Sequence, residues 1–199
     1  EIIMFHNLCE GAYCANKFIL PSAHHTNEVL HSPKWKNPQV KFFHGAKFIP
    51  VNQEIVKLVK QKETIHSHRT KQIVGITTGG SDPKGVMNKI LVWLIDNHFH
   101  DIEFQAFIGK SFAHHDKLAK LRYQIPSNVL IKDFNYHELI ECDIAIATFG
   151  VTTYELMYMG IPILSVGHAL NNAIGSAVVE KKHGALIDLG LIDDITKEY

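Results

Sequence analysis

The chain has 199 residues, 46% of them hydrophobic and 20% charged, and its 20 Lys+Arg are matched by 20 Asp+Glu. A formal charge of zero argues against a nucleic-acid binder, because neutralising phosphates takes a surplus of Lys and Arg. No apolar run approaches the roughly 20 residues of a membrane span, so the composition points to a globular protein of one domain, or one domain plus part of another.

Three cysteines, Cys9, Cys14 and Cys142, are too few and too odd in number for a disulfide scaffold. They suggest a reducing, cytoplasmic compartment. The 14 histidines include the adjacent pairs His24-His25 and His114-His115 and the spaced pairs His66/His68 and His98/His100. None has the i, i+4 spacing beside a carboxylate that a zinc protease needs, and we expect neither metal nor cofactor. The chain starts at Glu1 without a signal-peptide pattern. It stops at Asp193–Tyr199, which reads as an N-cap and first helical turn cut short, so we expect a longer parent protein.

In chain order, Lys17–Leu20 reads as a strand and Ser32–Pro38 as a turn-rich connector. Val40–Phe43 and Lys47–Val51 read as short extended pieces around Gly45. Asn52–Lys60 reads as a helix with Ile55, Val56 and Val59 on one side, and residues 61–71 as a polar linker. From there strands alternate with helices. The strands are Gln72–Thr77, Ile102–Ile108, Asn128–Lys132, Asp143–Ala147, Ile161–Val166 and Ala185–Leu189. The helices are Val86–Asn97, His114–Tyr123, Tyr136–Glu141, Thr152–Met159 and Asn172–Lys181. Near-continuous apolar strands separated by helices predict an α/β, doubly wound, Rossmann-like parallel sheet. Such sheets bind ligands at the carboxyl ends of their strands.

Several loops at those ends carry candidate chemistry. Gly79 and Gly80, with Ser81 and Asp82, follow the first strand of the series. Glycines there let backbone approach a ligand, and a following helix start favours an anion. The same glycines also suit a βα turn that needs positive φ. The next such loop is Gly150-Val151-Thr152-Thr153-Tyr154-Glu155. Gly150 makes a turn, Thr152 or Thr153 caps the helix, and free N–H groups face the site. Glu155 accepts hydrogen bonds from a vicinal diol such as a ribose, closes a capping box with Thr152, or does both. His168, Asn171 and Asn172 leave the following strand. They offer a titratable ring and two amides, or in the case of an Asn an ordinary helix N-cap.

Taken together, Thr78-Gly79-Gly80-Ser81-Asp82-Pro83, Asp143-Ile144-Ala145-Ile146-Ala147, Gly150–Leu156 and Gly160-Ile161-Pro162 resemble the C-terminal domain of GT-B-fold nucleotide-sugar enzymes. The resemblance is strongest to the UDP-sugar hydrolase of the pseudaminic-acid pathway and to spore-coat polysaccharide biosynthesis proteins. It extends more distantly to MurG-like glycosyltransferases. His44–Val51 resembles the segment before their interdomain linker.

The resemblance implies that residues 1–60 are the tail of an N-terminal domain and 72–199 a UDP-sugar binding domain. Gly79, Gly80 and Ser81 would face the diphosphate, with Asp82 in the same loop, and Phe134 or its neighbours would line the uracil pocket. Thr152 and Thr153 would support phosphate at a helix start, with Gly150 and Val151 in the same substrate-binding loop. Glu155 would bind the ribose, and Asn171 and Asn172, with His168 beside them, would reach toward the sugar. No metal is implied. Val151-Thr152-Thr153 stands where these proteins have Ser-Thr, and Asn171-Asn172 where they have Asn-Gln. Their catalytic histidine follows a Gly-x-Gly-His loop that this chain lacks, so no catalytic residue is assigned. The function implied is the donor-binding half of a UDP-sugar hydrolase acting at the anomeric centre in surface-polysaccharide or nonulosonic-acid biosynthesis. The alternatives are the donor domain of a glycosyltransferase and a non-catalytic nucleotide-sugar binding module. The expected partners are UDP or a UDP-sugar and an absent N-terminal domain, with no nucleic acid and no transmembrane segment.

Overall fold

The computed structural model describes residues 1–6, 9–24, 29–62 and 71–195. His25, His66, His68, residues 63–70 of the expected linker and residues 196–199 lie outside that set. The chain forms two compact units, residues 1–50 and 51–199. The helix expected over 52–60 therefore groups with the second unit.

The first unit is a three-stranded parallel sheet in the order β1 (Ile3–Phe5), β2 (Lys17–Leu20), β3 (Lys41–His44). Phe18 and Leu20 are buried on one face of β2, and Trp35 packs against them. The Trp35 ring meets Tyr13, Phe18 and Phe42 edge-on at 4.9–5.1 Å, a favoured geometry for aromatic pairs. Its indole N–H donates to the Val29 carbonyl at 2.7 Å. The extended piece expected at Lys47–Val51 is corrected: Ala46–Phe48 is a 3-10 turn entered from Gly45 at φ 101°.

The second unit carries a six-stranded, all-parallel sheet in the order β6-β5-β4-β7-β8-β9. Its strands are β4 (Gln72–Thr77), β5 (Ile102–Ile108), β6 (Val129–Asp133), β7 (Ile144–Thr148), β8 (Ile163–Gly167) and β9 (Ile187–Leu191). The helices are α1 (Gln53–Lys62), α2 (Val86–Asp96), α3 (His115–Leu121), α4 (Tyr136–Leu139), α5 (Val151–Met159), α6 (Leu170–His183) and α7 (Ile192–Ile195). Alternation along β4 explains the two covered faces. Val74 and Ile76 pack with Val86, Ile90, Leu91 and Leu94 of α2, while Gly75 faces Leu139 and Cys142 on the other side. An added Cβ at Gly75 would lie 2.8 Å from the Cys142 sulfur, so only glycine lets that side close down.

This is the expected doubly wound α/β fold. Winding proceeds outward in both directions from the centre, so the β4–β7 boundary is the topological switch point where such sheets take ligands. No described helix is long and apolar enough to cross a membrane.

Candidate functional site

The loop after β4 lies at the switch point. Gly79 turns with φ 79°, and neither it nor Gly80 has a neighbour where a Cβ would stand, so both present bare backbone to open space. The loop is held from behind. Ser111 N–H donates to the Gly80 carbonyl at 3.2 Å and Ala113 N–H to the Ser81 carbonyl at 3.0 Å. Gly109, at the end of β5, sits so close that a Cβ would fall 2.5 Å from the Gly80 oxygen and 2.7 Å from the Gly79 oxygen.

Asp82 is reassigned by its surroundings. It is 2% exposed, at φ 44°, and its two carboxylate oxygens accept the Val86 and Met87 N–H groups, each at 2.8 Å. The carboxylate thus satisfies two orphan donors of α2 and sits against the positive end of its dipole. It fixes the Gly79–Ser81 loop and occupies the helix start at which the sequence placed an anion. Asp82→Ala should cost about 1–2 kcal/mol, the usual loss of a good helix cap, seen as a Tm lowered by roughly 2–8 °C. An unchanged melting curve would contradict this role.

The start of α5 also departs from expectation. The helix begins at Val151, with Gly150 as its N-cap in extended conformation. Thr153 is fully buried; its hydroxyl accepts from Gly150 N–H at 3.0 Å and donates to the Thr148 carbonyl at 3.2 Å. Neither Thr152 nor Thr153 is the cap, and Thr153 is committed to closing the turn. The capping box between Thr152 and Glu155 is absent. Glu155, 7% exposed, instead accepts a hydrogen bond from the Tyr136 hydroxyl at 3.0 Å.

Burial pushes the Glu155 carboxyl above its ordinary range, and the Tyr136 hydrogen bond partly opposes that rise. Tyr136 is pushed up to about 12 by burial and by the neighbouring Glu155 charge. The Asn52 side chain, nearby, partly opposes that rise. Asn52 caps α1 by accepting the Glu54 N–H at 3.0 Å. A carboxylate has about four acceptor positions and Tyr136 takes one of them.

A crevice of about 250 Å3 brings Gly79, Gly80, Phe134 and Thr152 together with Gly109, Lys110 and Tyr136. Phe134 meets Tyr136 edge-on at 5.0 Å, and its N–H is spent on the Ile108 carbonyl at 2.9 Å. Across Lys110, Phe134 and Tyr136 lies a wider, open cavity of about 690 Å3, which also includes Glu54, Lys132, Asp133, Asn135 and Glu138. Glu155 lines neither space directly; it stands behind Tyr136.

The remaining predicted residues are not gathered into these two spaces. Ser81, Val151 and Asn171 are exposed, and His168 is half-buried. Asn172 donates to the Phe149 carbonyl at 2.9 Å, tying α6 to the loop after β7. The N-cap of α6 is Ala169, which corrects the alternative that one of the two asparagines caps it. Sequence reasoning assigns no role to Gly109, Lys110 or Tyr136, although the loop Gly109–Ala113 is among those at the carboxyl ends of the strands. Their signal was positional only, since each borders the carboxyl end of a strand. Among the described residues, no three His, Cys, Asp or Glu side chains converge as a metal site would require.

Fold and crevice define a Rossmann-like α/β protein with a pocket at the switch point of its sheet. No family model matches the chain. An uncharacterized protein of Methanocaldococcus jannaschii is 27% identical over 128 residues, which cover 62% of this chain and 26% of that protein. The chain thus spans about a quarter of the length of that relative.

Proposed function

We propose that residues 51–199 bind UDP or a UDP-sugar, as the C-terminal, donor-binding half of a GT-B-type hydrolase acting at the anomeric centre. The observation that carries this reading is the crevice that gathers the bare Gly79-Gly80 backbone with Phe134, Tyr136 and Thr152, backed by the Glu155 carboxylate that accepts the Tyr136 hydroxyl. A vicinal diol supplies two donors to one carboxylate, and the N–H groups of a glycine loop donate to phosphate oxygens at close range. Phe134 and Tyr136 offer apolar ring area for a base. In the complete enzyme a base must activate water while preorganised donors stabilise departing UDP. The crevice supplies the second of these functions.

Titration of the chain with UDP and ADP by calorimetry tests the proposal. UDP should bind with heat and saturate, and ADP should bind more weakly. Equal affinity for the two would remove the uracil assignment, and absence of UDP binding by the folded chain would remove the proposal.

A further inference from the structure

The crevice has two possible sources of positive charge for a phosphate: a helix start and a cation. At the head of α2 the first is curtailed, because the Asp82 carboxylate already takes the Val86 and Met87 N–H groups, while the head of α5 borders the crevice at Thr152 without a charged side chain. Two cations border the paired cavities, Lys110 and Lys132. Lys132 is paired with Glu138. Lys110 is exposed and, among the described residues, has no ion-pair partner.

The two spaces also differ in sign. Glu54, Asp133 and Glu138 line the wider cavity and repel an anion there. No carboxylate lines the smaller crevice, where Lys110 stands beside Gly79, Gly80 and Gly109. We infer that Lys110 is the phosphate-contacting cation of this site, pairing with the diphosphate over the glycine loop while the nucleoside points toward Phe134 and the wider cavity. This inference rests on the nucleotide reading above for its ligand, and on the charge distribution for its residue and orientation. An ammonium next to bare backbone donors makes charge-assisted contacts with phosphate oxygens, which are stronger than neutral ones.

Lys110→Gln removes the charge at an exposed position and should leave the melting curve unchanged. UDP, uridine and inorganic pyrophosphate are titrated into the native chain, Lys110→Gln and Glu155→Gln. The expected result for Lys110→Gln is a loss of roughly tenfold or more for UDP and for pyrophosphate, with uridine unaffected. Pyrophosphate that depends on Lys110, together with UDP that binds no tighter than pyrophosphate, would sustain the cation and overturn the nucleoside reading. UDP that depends on Glu155 but binds Lys110→Gln as it binds the native chain would overturn the inference and leave the nucleotide reading standing. Failure of both phosphate compounds to bind the native chain would overturn both.

Discussion

Glu155→Gln weakens UDP binding by roughly ten- to hundredfold, the loss of about 1.5–3 kcal/mol expected for hydrogen bonds to a charged group, and makes the protein more heat-resistant once the pH has risen through the raised carboxyl. The two effects share one cause. Burial raises the Glu155 carboxyl above its unfolded value, so the native state holds this proton more tightly than the unfolded chain does. Its contribution to stability is therefore fully present below the unfolded pKa and is lost as pH rises through the raised one. Glutamine never ionises and still accepts the Tyr136 hydroxyl through its amide oxygen. The two proteins should melt together at acid pH and diverge as pH increases, the variant melting higher. Thermal unfolding followed by circular dichroism across a pH series measures this directly. A variant that melts below the native protein at neutral pH would show that the charge stabilises the fold. A carboxylate held at a cost to stability is what a binding role demands.

Gly109→Ala has the largest expected effect on the fold. The added methyl would lie 2.5–2.7 Å from the Gly80 oxygen, the Gly79 oxygen and the Gly80 Cα. These are backbone atoms, and the loop that owns them is tied to Ser111 and Ala113. It cannot yield as a flexible side chain would, so overpacking should cost about 3 kcal/mol. For a unit of this size Tm should fall by roughly 6–12 °C. The displaced Gly79-Gly80 backbone should lose UDP at temperatures where the variant remains folded. Native-like melting with native-like binding would show that the β4 and β5 loops are not in such close apposition.

The sheet was legible because its signals are local and repeated. Gln72–Thr77 and Ile102–Ile108 are unbroken, mainly apolar runs bounded by turn residues, and they become β4 and β5 at those limits. The first 50 residues carry no such rhythm. β1 is three residues long, and its sheet is stabilised by Trp35 meeting three rings distant in sequence.

At the site, loop position picks out Gly79, Gly80 and Thr152, and Phe134 enters only through the family resemblance. Asp82, Thr153 and Asn172 were read as ligand contacts, yet their side chains bond to backbone. Short polar residues at helix starts look the same in sequence whether they face a ligand or a cap. Tyr136 and Glu155 are 19 residues apart, on different helices, and meet only when the sheet closes. Lys110 stands out only when its lack of a carboxylate partner among the described residues is set against the pairing of Lys132.

The central claim is that Glu155 reads a ribose diol at the β4–β7 switch point. Calorimetric titration of the native chain with UDP and with its 2′-deoxy analogue tests it most directly. A buried acceptor left without its hydroxyl rejects the analogue, so UDP should bind roughly tenfold tighter or more, and Glu155→Gln should erase the difference. Equal affinity of the native chain for the two nucleotides would contradict the assignment.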